Sequence, residues 1–217
     1  MERLKLNLTY YALDVDRDEL ERSLLALNSS HHYVKIAGFL GTYEDGMRTL
    51  KDIKKRKAIL WLGSSAANMD RDDTAEFMRR FPMYPGDTWV IGLDRRKDNL
   101  KTWRAYHDSQ GVTRAFELNA LHNANKILGE EVFREGEWEY VGEYDSVKGC
   151  HEASFTPLKD VIVCGREFKK GEQILIERSY KYGRDEVQQL WEDAGVVEIG
   201  RWSDPEKAYG FQCCCFI

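Results

Sequence analysis

Ala58-Ile-Leu-Trp-Leu62 is an uninterrupted apolar run, and Gly63-Ser64-Ser65 breaks it. A run of this length and composition predicts a strand buried on both faces, as strands of parallel sheets are. Thr88-Trp-Val-Ile-Gly-Leu-Asp94 repeats the pattern after the turn at Pro85-Gly86 and ends in an acid. Upstream, Leu8-Thr-Tyr-Tyr-Ala-Leu-Asp14 reads the same way, with Asp16 or Asp18 placed to cap a helix through Leu27. His32 to Ala37 predicts a further strand, Gly38 to Tyr43 a turn, and Asp45 to Lys51 a short helix. Lys54-Lys-Arg-Lys57 reads as a solvated loop, and Asp70 as the cap of a helix over Asp72 to Phe81. Strands alternating with helices predict an α/β fold with a parallel sheet and helices on both faces. Ligands of such sheets sit at the C-terminal ends of the strands. Asp14, Gly41, Gly63 and Asp94 all fall there, although a helix cap or a turn accounts for any single acid as well.

From Arg95 the rhythm changes. Leu100 to Asp108 and Val112 to Leu128 are helical by period, and Gly129 ends the second. Trp138 to Tyr144, His151 to Phe155, Val161 to Val163 and Gln173 to Ser179 predict an antiparallel sheet. A helix over Asp185 to Ala194 and strands over Val196 to Trp202 and Ala208 to Phe216 return to the core sheet. The expected organisation is a core over 1–94, an inserted α+β cap over 95–176, and a return to the core over 177–217.

Composition narrows the partners. The 217 residues are 42% apolar, enough to fill a core, and 32 basic against 37 acidic residues give a formal charge of −5. That balance offers no field for nucleic acid or an anionic membrane surface. The sequence shows no membrane-spanning run and no signal peptide, so a cytoplasmic protein, a monomer acting on a small molecule, is expected. The spacing of Cys150, Cys164 and Cys213 to Cys215 fits neither a disulfide framework nor a metal site. Cys214-Cys-Phe-Ile217 has only a loose likeness to a prenylation box, and a last β-strand is the expectation there.

Ile174-Leu-Ile-Glu-Arg-Ser-Tyr-Lys-Tyr182 carries the chemistry. In a strand, residues two apart point the same way, so Glu177 and Ser179 line one surface about 7 Å apart. A carboxylate acceptor beside a hydroxyl suits a small ligand with two nitrogens. The same spacing also fits an exposed strand whose polar residues face water.

Several blocks then coincide: Trp61-Leu-Gly-Ser-Ser-Ala-Ala-Asn68, Gly86 to Asp94, Ala105-Tyr-His-Asp-Ser-Gln-Gly-Val-Thr113 with Phe116 and Asn119, and Glu177-Arg-Ser-Tyr-Lys-Tyr182. In this order, over nearly the whole chain, they resemble the histidine-specific, S-adenosylmethionine-dependent methyltransferases. The resemblance implies a class I, Rossmann-like sheet of strand order 3-2-1-4-5-7-6. It also implies S-adenosylmethionine as cofactor and methyl transfer to the α-amine of an amino acid. Histidine, on the ergothioneine pathway, is the first substrate it suggests. The alternatives are 4-dimethylallyltryptophan, the substrate of a fungal branch, and a truncated, non-catalytic remnant. By the same resemblance Asp14 binds the ribose, Thr42 and Tyr43 lie beside the adenine, and Gly63 and Ser64 approach the methionine moiety. Asn68 and Tyr106 hold the α-amino and carboxylate groups, and Glu177 and Ser179 grip the imidazole.

The chain departs from that family in three places. Ala66-Ala67-Asn68 stands where the loop usually has Gly-Asn, which stiffens it, and Ala153 stands where bacterial relatives have a methionine. The family's first strand, with its glycine-rich turn, belongs ahead of Leu8, where only seven residues stand. The N-terminal substrate-binding segment is likewise missing from the pattern. The expected consequence is two unpaired strand edges and low stability unless an upstream segment is supplied.

Overall fold

The computed structural model describes residues 7–27, 33–134 and 136–216, so His32 lies outside the described residues. They form two compact units, Met1–Arg56 with Arg80–Met83, and Lys57–Arg79 with Tyr84–Ile217.

The first unit runs β1 (Leu8–Asp14), α1 (Arg17–Leu27), β2 (Val34–Leu40) and α2 (Tyr43–Leu50). Of the two candidate caps, Asp16 is the one used: its Oδ1 accepts from the Glu19 amide at 3.0 Å. β1 and β2 pair in parallel, with Ala12 opposite Gly38 and Leu13 opposite Phe39. Gly38 therefore belongs to the strand and not to the expected turn, which is confined to Gly41-Thr42. It packs against Leu20 and Leu24 of α1, whereas Leu13 on the opposite face packs against Gly46 of α2. The sheet thus has a helix on each face.

The second unit contains β3 (Ala58–Trp61), a 3₁₀ turn (Ser65–Asn68), α3 (Arg71–Arg80), β4 (Thr88–Asp94), α4 (Asn99–Tyr106) and α5 (Val112–Leu128). β5 (Trp138–Asp145), β6 (Cys150–Pro157), β7 (Val161–Val163), β8 (Arg166–Phe168) and β9 (Ile174–Tyr180) follow. α6 (Arg184–Ala194), β10 (Val196–Ser203) and β11 (Tyr209–Phe216) complete it. Its main sheet has the order β10-β11-β4-β3, with β3 parallel and β11 antiparallel to β4. Its neighbours follow the expected succession 6-7-5-4, and within the first unit β2 and β1 are neighbours as strands 3 and 2 are expected to be.

β3 corrects one expectation. Leu60 is 51% and Leu62 43% exposed, because among the described residues β3 pairs with β4 alone and is an edge. Trp61 alone of the run is buried, against Phe77 and Trp89 at 5.0 and 5.9 Å between ring centroids. Lys57 is not solvated either. Its ammonium lies 2.6 Å from Asp87 Oδ2 with both side chains buried, and Asp87 also accepts from the Lys57 and Tyr84 amides at 2.9 Å. A buried carboxylate needs such partners, and here they fix the start of β3 against β4. Asp70 does stand at the start of α3, which begins one residue earlier than expected, and its carbonyl accepts from the Thr74 amide at 2.8 Å, but its Oδ1 accepts from the Tyr180 hydroxyl at 2.5 Å.

Gly92 in β4 is required by a close approach. A Cβ there would lie 2.2 Å from both the Leu62 carbonyl oxygen and the Tyr209 hydroxyl, which hydrogen-bond each other across the strand. β5, β6 and β9 form a three-stranded antiparallel sheet, with a separate β7-β8 hairpin, and β9 runs across the expected boundary between 176 and 177. Trp138, Phe155, Val163 and Phe168 form a core under Leu118 and Leu121 of α5. All five cysteines are free thiols, and Cys214 is buried within β11. No helix among the described residues is long and apolar enough to cross a membrane.

Candidate functional site

A cavity of about 360 Å³ in the second unit is lined by Tyr106, Phe116, Glu117, His151, Glu177 and Ser179, among others. Glu177 and Ser179 share it as strand alternation requires. A bulge between Ala153 and Ser154 of β6 and their β9 partners sets Glu177 opposite Ala153 and Leu175 opposite Ser154, which re-aims the strand at the cavity wall.

Tyr106 arrives from α4, whose first turn is capped by Asp98, accepting from the Lys101 amide at 3.1 Å. The Asp108 carboxylate accepts from the Val112 and Thr113 amides at 2.8 Å each and so starts α5. Those bonds, Thr113 first, hold its carboxyl down at about 2. Gly111, with φ of 69°, makes the intervening turn. This is the structural reason for an acid and a glycine in Tyr106-His-Asp-Ser-Gln-Gly-Val-Thr113, and it places Tyr106 and Phe116 along one wall.

The polar groups form a chain of contacts. Asn68 Nδ2 donates to Glu177 Oε1 at 2.7 Å. The Tyr106 hydroxyl donates to Ser179 Oγ at 3.0 Å. Lys181, only 2% exposed, donates to Tyr106 Oη at 2.6 Å and to Ser179 Oγ at 2.8 Å, and pairs with Asp94 Oδ2 at 3.2 Å. The structure thus joins Tyr106 to Ser179 and Asn68 to Glu177.

Behind Tyr106 lies His151, its ring stacked at 3.6 Å and 7° and its Nε2 3.3 Å from the Tyr140 hydroxyl. Burial first, then the Lys181 charge, pushes the imidazole down to about 4, so the ring is neutral at neutral pH. Glu117 is buried in the same wall without a hydrogen-bond or ion-pair partner among the described residues. Its carboxyl is raised, by burial and then by the neighbouring Glu177.

Sequence reasoning missed Lys181, Glu117 and His151. For Lys181 a signal existed: Glu177, Ser179 and Lys181 continue one alternation. Glu117 follows Thr113 and Phe116 at helical spacing on one face of α5. Asp94 was placed as a strand-end acid, and its partner is a buried lysine.

The residues expected to hold S-adenosylmethionine fall in both units. In the first, Asp14 ends β1 exposed, with Oδ1 accepting from the Asp16 amide at 2.9 Å. Its other oxygen has no partner among the described residues, which fits a ribose hydroxyl. Thr42 is committed as the cap of α2, exchanging hydrogen bonds with Asp45, and Tyr43 is 46% exposed in the same turn. In the second, a Cβ at Gly63 would meet nothing within 4 Å, which leaves backbone open to a ligand. Ser64 is held at φ 61° and its hydroxyl accepts from the Asp94 amide at 3.0 Å; such left-handed strain in a non-glycine residue is a mark of binding loops. Among the described residues, no group of His, Cys, Asp or Glu side chains is placed to hold a metal ion.

Comparison with known proteins matches the sequence to a family. A family model described as "Histidine-specific methyltransferase, SAM-dependent" covers residues 1–215. "Ergothioneine biosynthesis protein 1" of Neurospora crassa is 43% identical over 89% of this chain and 23% of its own length. "N-methyltransferase imqF" of Aspergillus flavus is 31% identical over 97% of this chain and 61% of its own. "4-dimethylallyltryptophan N-methyltransferase easF" of Aspergillus fumigatus is 32% identical over 97% and 68% respectively. The chain therefore spans about a quarter of the length of the first of these relatives and about three-fifths of the second. On a match that runs almost from end to end, the chain belongs to the histidine-specific, S-adenosylmethionine-dependent methyltransferase family.

Proposed function

We propose that the chain is the binding and catalytic part of an N-methyltransferase that acts on the α-amine of histidine, giving trimethylhistidine on the ergothioneine pathway. The observation that carries this reading is the polarity of two groups on β9. Ser179 Oγ accepts from Lys181 and from Tyr106, and a hydroxyl has two lone pairs and one hydrogen. Only the hydrogen remains for a ligand, so Ser179 donates. Glu177, as a carboxylate, accepts. A neutral imidazole presents one bare nitrogen and one N–H and satisfies both. An indole has an N–H alone and leaves the serine without an acceptor, a cost of about 1–3 kcal/mol for a desolvated group.

The remaining residues would orient the amino acid. Asn68 gives its N–H to Glu177, which leaves its carbonyl oxygen to accept from the substrate amine while the nitrogen lone pair stays free to react. S-adenosylmethionine, when bound, supplies an electrophilic methyl group on a sulfonium, and within the second unit Gly63 and Ser64 are the residues that would approach its methionine moiety. The protein's part is orientation and exclusion of water, which together can lower such a barrier by about 7–11 kcal/mol.

A second reading, 4-dimethylallyltryptophan as substrate, is favoured by an apolar cavity of about 440 Å³ farther along α5, lined by Leu121, Phe133, Trp138 and Ile176 among others. A competition assay separates the two. The full-length protein is incubated with S-adenosylmethionine and equal histidine, tryptophan and 4-dimethylallyltryptophan, and products are counted by mass spectrometry. Methylated histidine is expected in at least tenfold excess, the factor that about 1.4 kcal/mol supplies. A majority of methylated prenyltryptophan establishes the second reading, and no product with any substrate leaves a binding protein without catalysis.

A further inference from the structure

Building on the histidine reading, we propose that Lys181 is a positioning residue that fixes the direction of the Ser179 hydroxyl and so makes the site select a ring with a bare nitrogen. A lysine ammonium has three donors and no acceptor. Here the donors meet three oxygens: Asp94 Oδ2 at 3.2 Å, Tyr106 Oη at 2.6 Å and Ser179 Oγ at 2.8 Å. At each contact the lysine can only give. Tyr106 receives from it and gives its own hydrogen to Ser179. Ser179, receiving from both, points its hydrogen at the cavity.

The lysine cannot drift from this role. Its amide donates to the Gly149 carbonyl at 2.7 Å, and its carbonyl accepts from Arg71 at 3.2 Å. Asp94 balances its charge and is itself anchored by Lys97 at 2.6 Å. The Arg71 side chain that grips the lysine carbonyl also pairs with Glu186 of α6 at 3.1 Å, so the setting is built from several elements. Removal of the ammonium frees a lone pair on Ser179. The hydroxyl can then rotate and accept from an N–H, and the preference for a bare nitrogen disappears.

The test uses full-length protein, wild type, Lys181→Met and Ser179→Ala, titrated calorimetrically with histidine and with β-pyrrolylalanine in saturating S-adenosylhomocysteine. Pyrrolylalanine keeps a five-membered ring with an N–H and lacks the bare nitrogen. Wild type is expected to bind histidine about tenfold or more tightly than pyrrolylalanine. In Lys181→Met the two affinities converge to within about threefold, and Ser179→Ala converges likewise with the buried ammonium still in place. A lysine that merely supports the fold weakens both ligands in parallel, so an unchanged ratio in Lys181→Met overturns the inference. Full discrimination in Ser179→Ala overturns it as well, and that variant decides the matter if Lys181→Met fails to fold. Wild type that does not bind histidine removes the histidine reading and this inference together. Histidine preference with an unchanged ratio in the variants removes the inference alone.

Discussion

Glu177→Ala is expected to weaken histidine binding about a hundredfold, because a carboxylate hydrogen bond in a partly enclosed site is worth about 1.5–3 kcal/mol. The substitution also strips Asn68 of the acceptor that orients its amide, so the α-amine end of the substrate loses definition along with the ring end. Glu177→Gln is the informative companion. Its carboxamide oxygen can still accept from the ring N–H, without the charge, and the expected loss is about tenfold, since a neutral bond is roughly half as strong. Glu177 is only partly buried at the cavity wall, so thermal midpoints of both variants should stay close to wild type. Calorimetric titration with histidine checks all three proteins, and unchanged affinity in Glu177→Ala removes the carboxylate from the site.

The second large effect is on stability in acid. His151 titrates near 4 in the folded protein and near 6.5 when unfolded. Between those values the unfolded chain binds more protons. The stability contributed by the neutral ring is therefore complete above pH 6.5 and is lost as pH falls from about 6.5 to about 4. The loss approaches about 3 kcal/mol, from roughly 1.4 kcal/mol per unit of displacement. Of the other groups in the cavity wall, Lys181 pushes the histidine further down, and burial raises the Glu117 carboxyl. Urea unfolding of wild type and His151→Gln at pH 7 and pH 4.5 is the measurement. The difference in unfolding free energy between the two pH values should be larger in wild type. Equal differences would mean that His151 is hydrated in the fold and does not resist protonation.

What the sequence made legible follows from local physics. The span of α5, Val112–Leu128, was readable end to end, because its period is sustained and Gly129 adopts the left-handed conformation that closes it. β4, buried along its centre, was equally plain, as was the shared face of Glu177 and Ser179, since alternation along a strand needs no knowledge of the rest of the chain. The misreadings all involve partners distant in sequence. Leu60 reads as core and is exposed because β3 has one pairing partner among the described residues. Lys57 reads as solvated and is buried because Asp87 reaches it from 30 residues away. Lys181 escaped for the same reason: Asp94, Tyr106 and Ser179 come to it from three separate elements, and only their assembly turns a charged residue into a buried one.

In the proposed function the cavity holds an imidazole between one donor, Ser179, and one acceptor, Glu177. The most direct measurement is calorimetric titration of wild-type protein with histidine and with its two ring N-methyl isomers. A methyl group on one nitrogen abolishes the N–H that Glu177 receives, and on the other it blocks the bare nitrogen that Ser179 needs. Both isomers are expected to bind at least tenfold more weakly than histidine, the effect of losing about 1.4 kcal/mol. Either isomer binding with the affinity of histidine itself would contradict it.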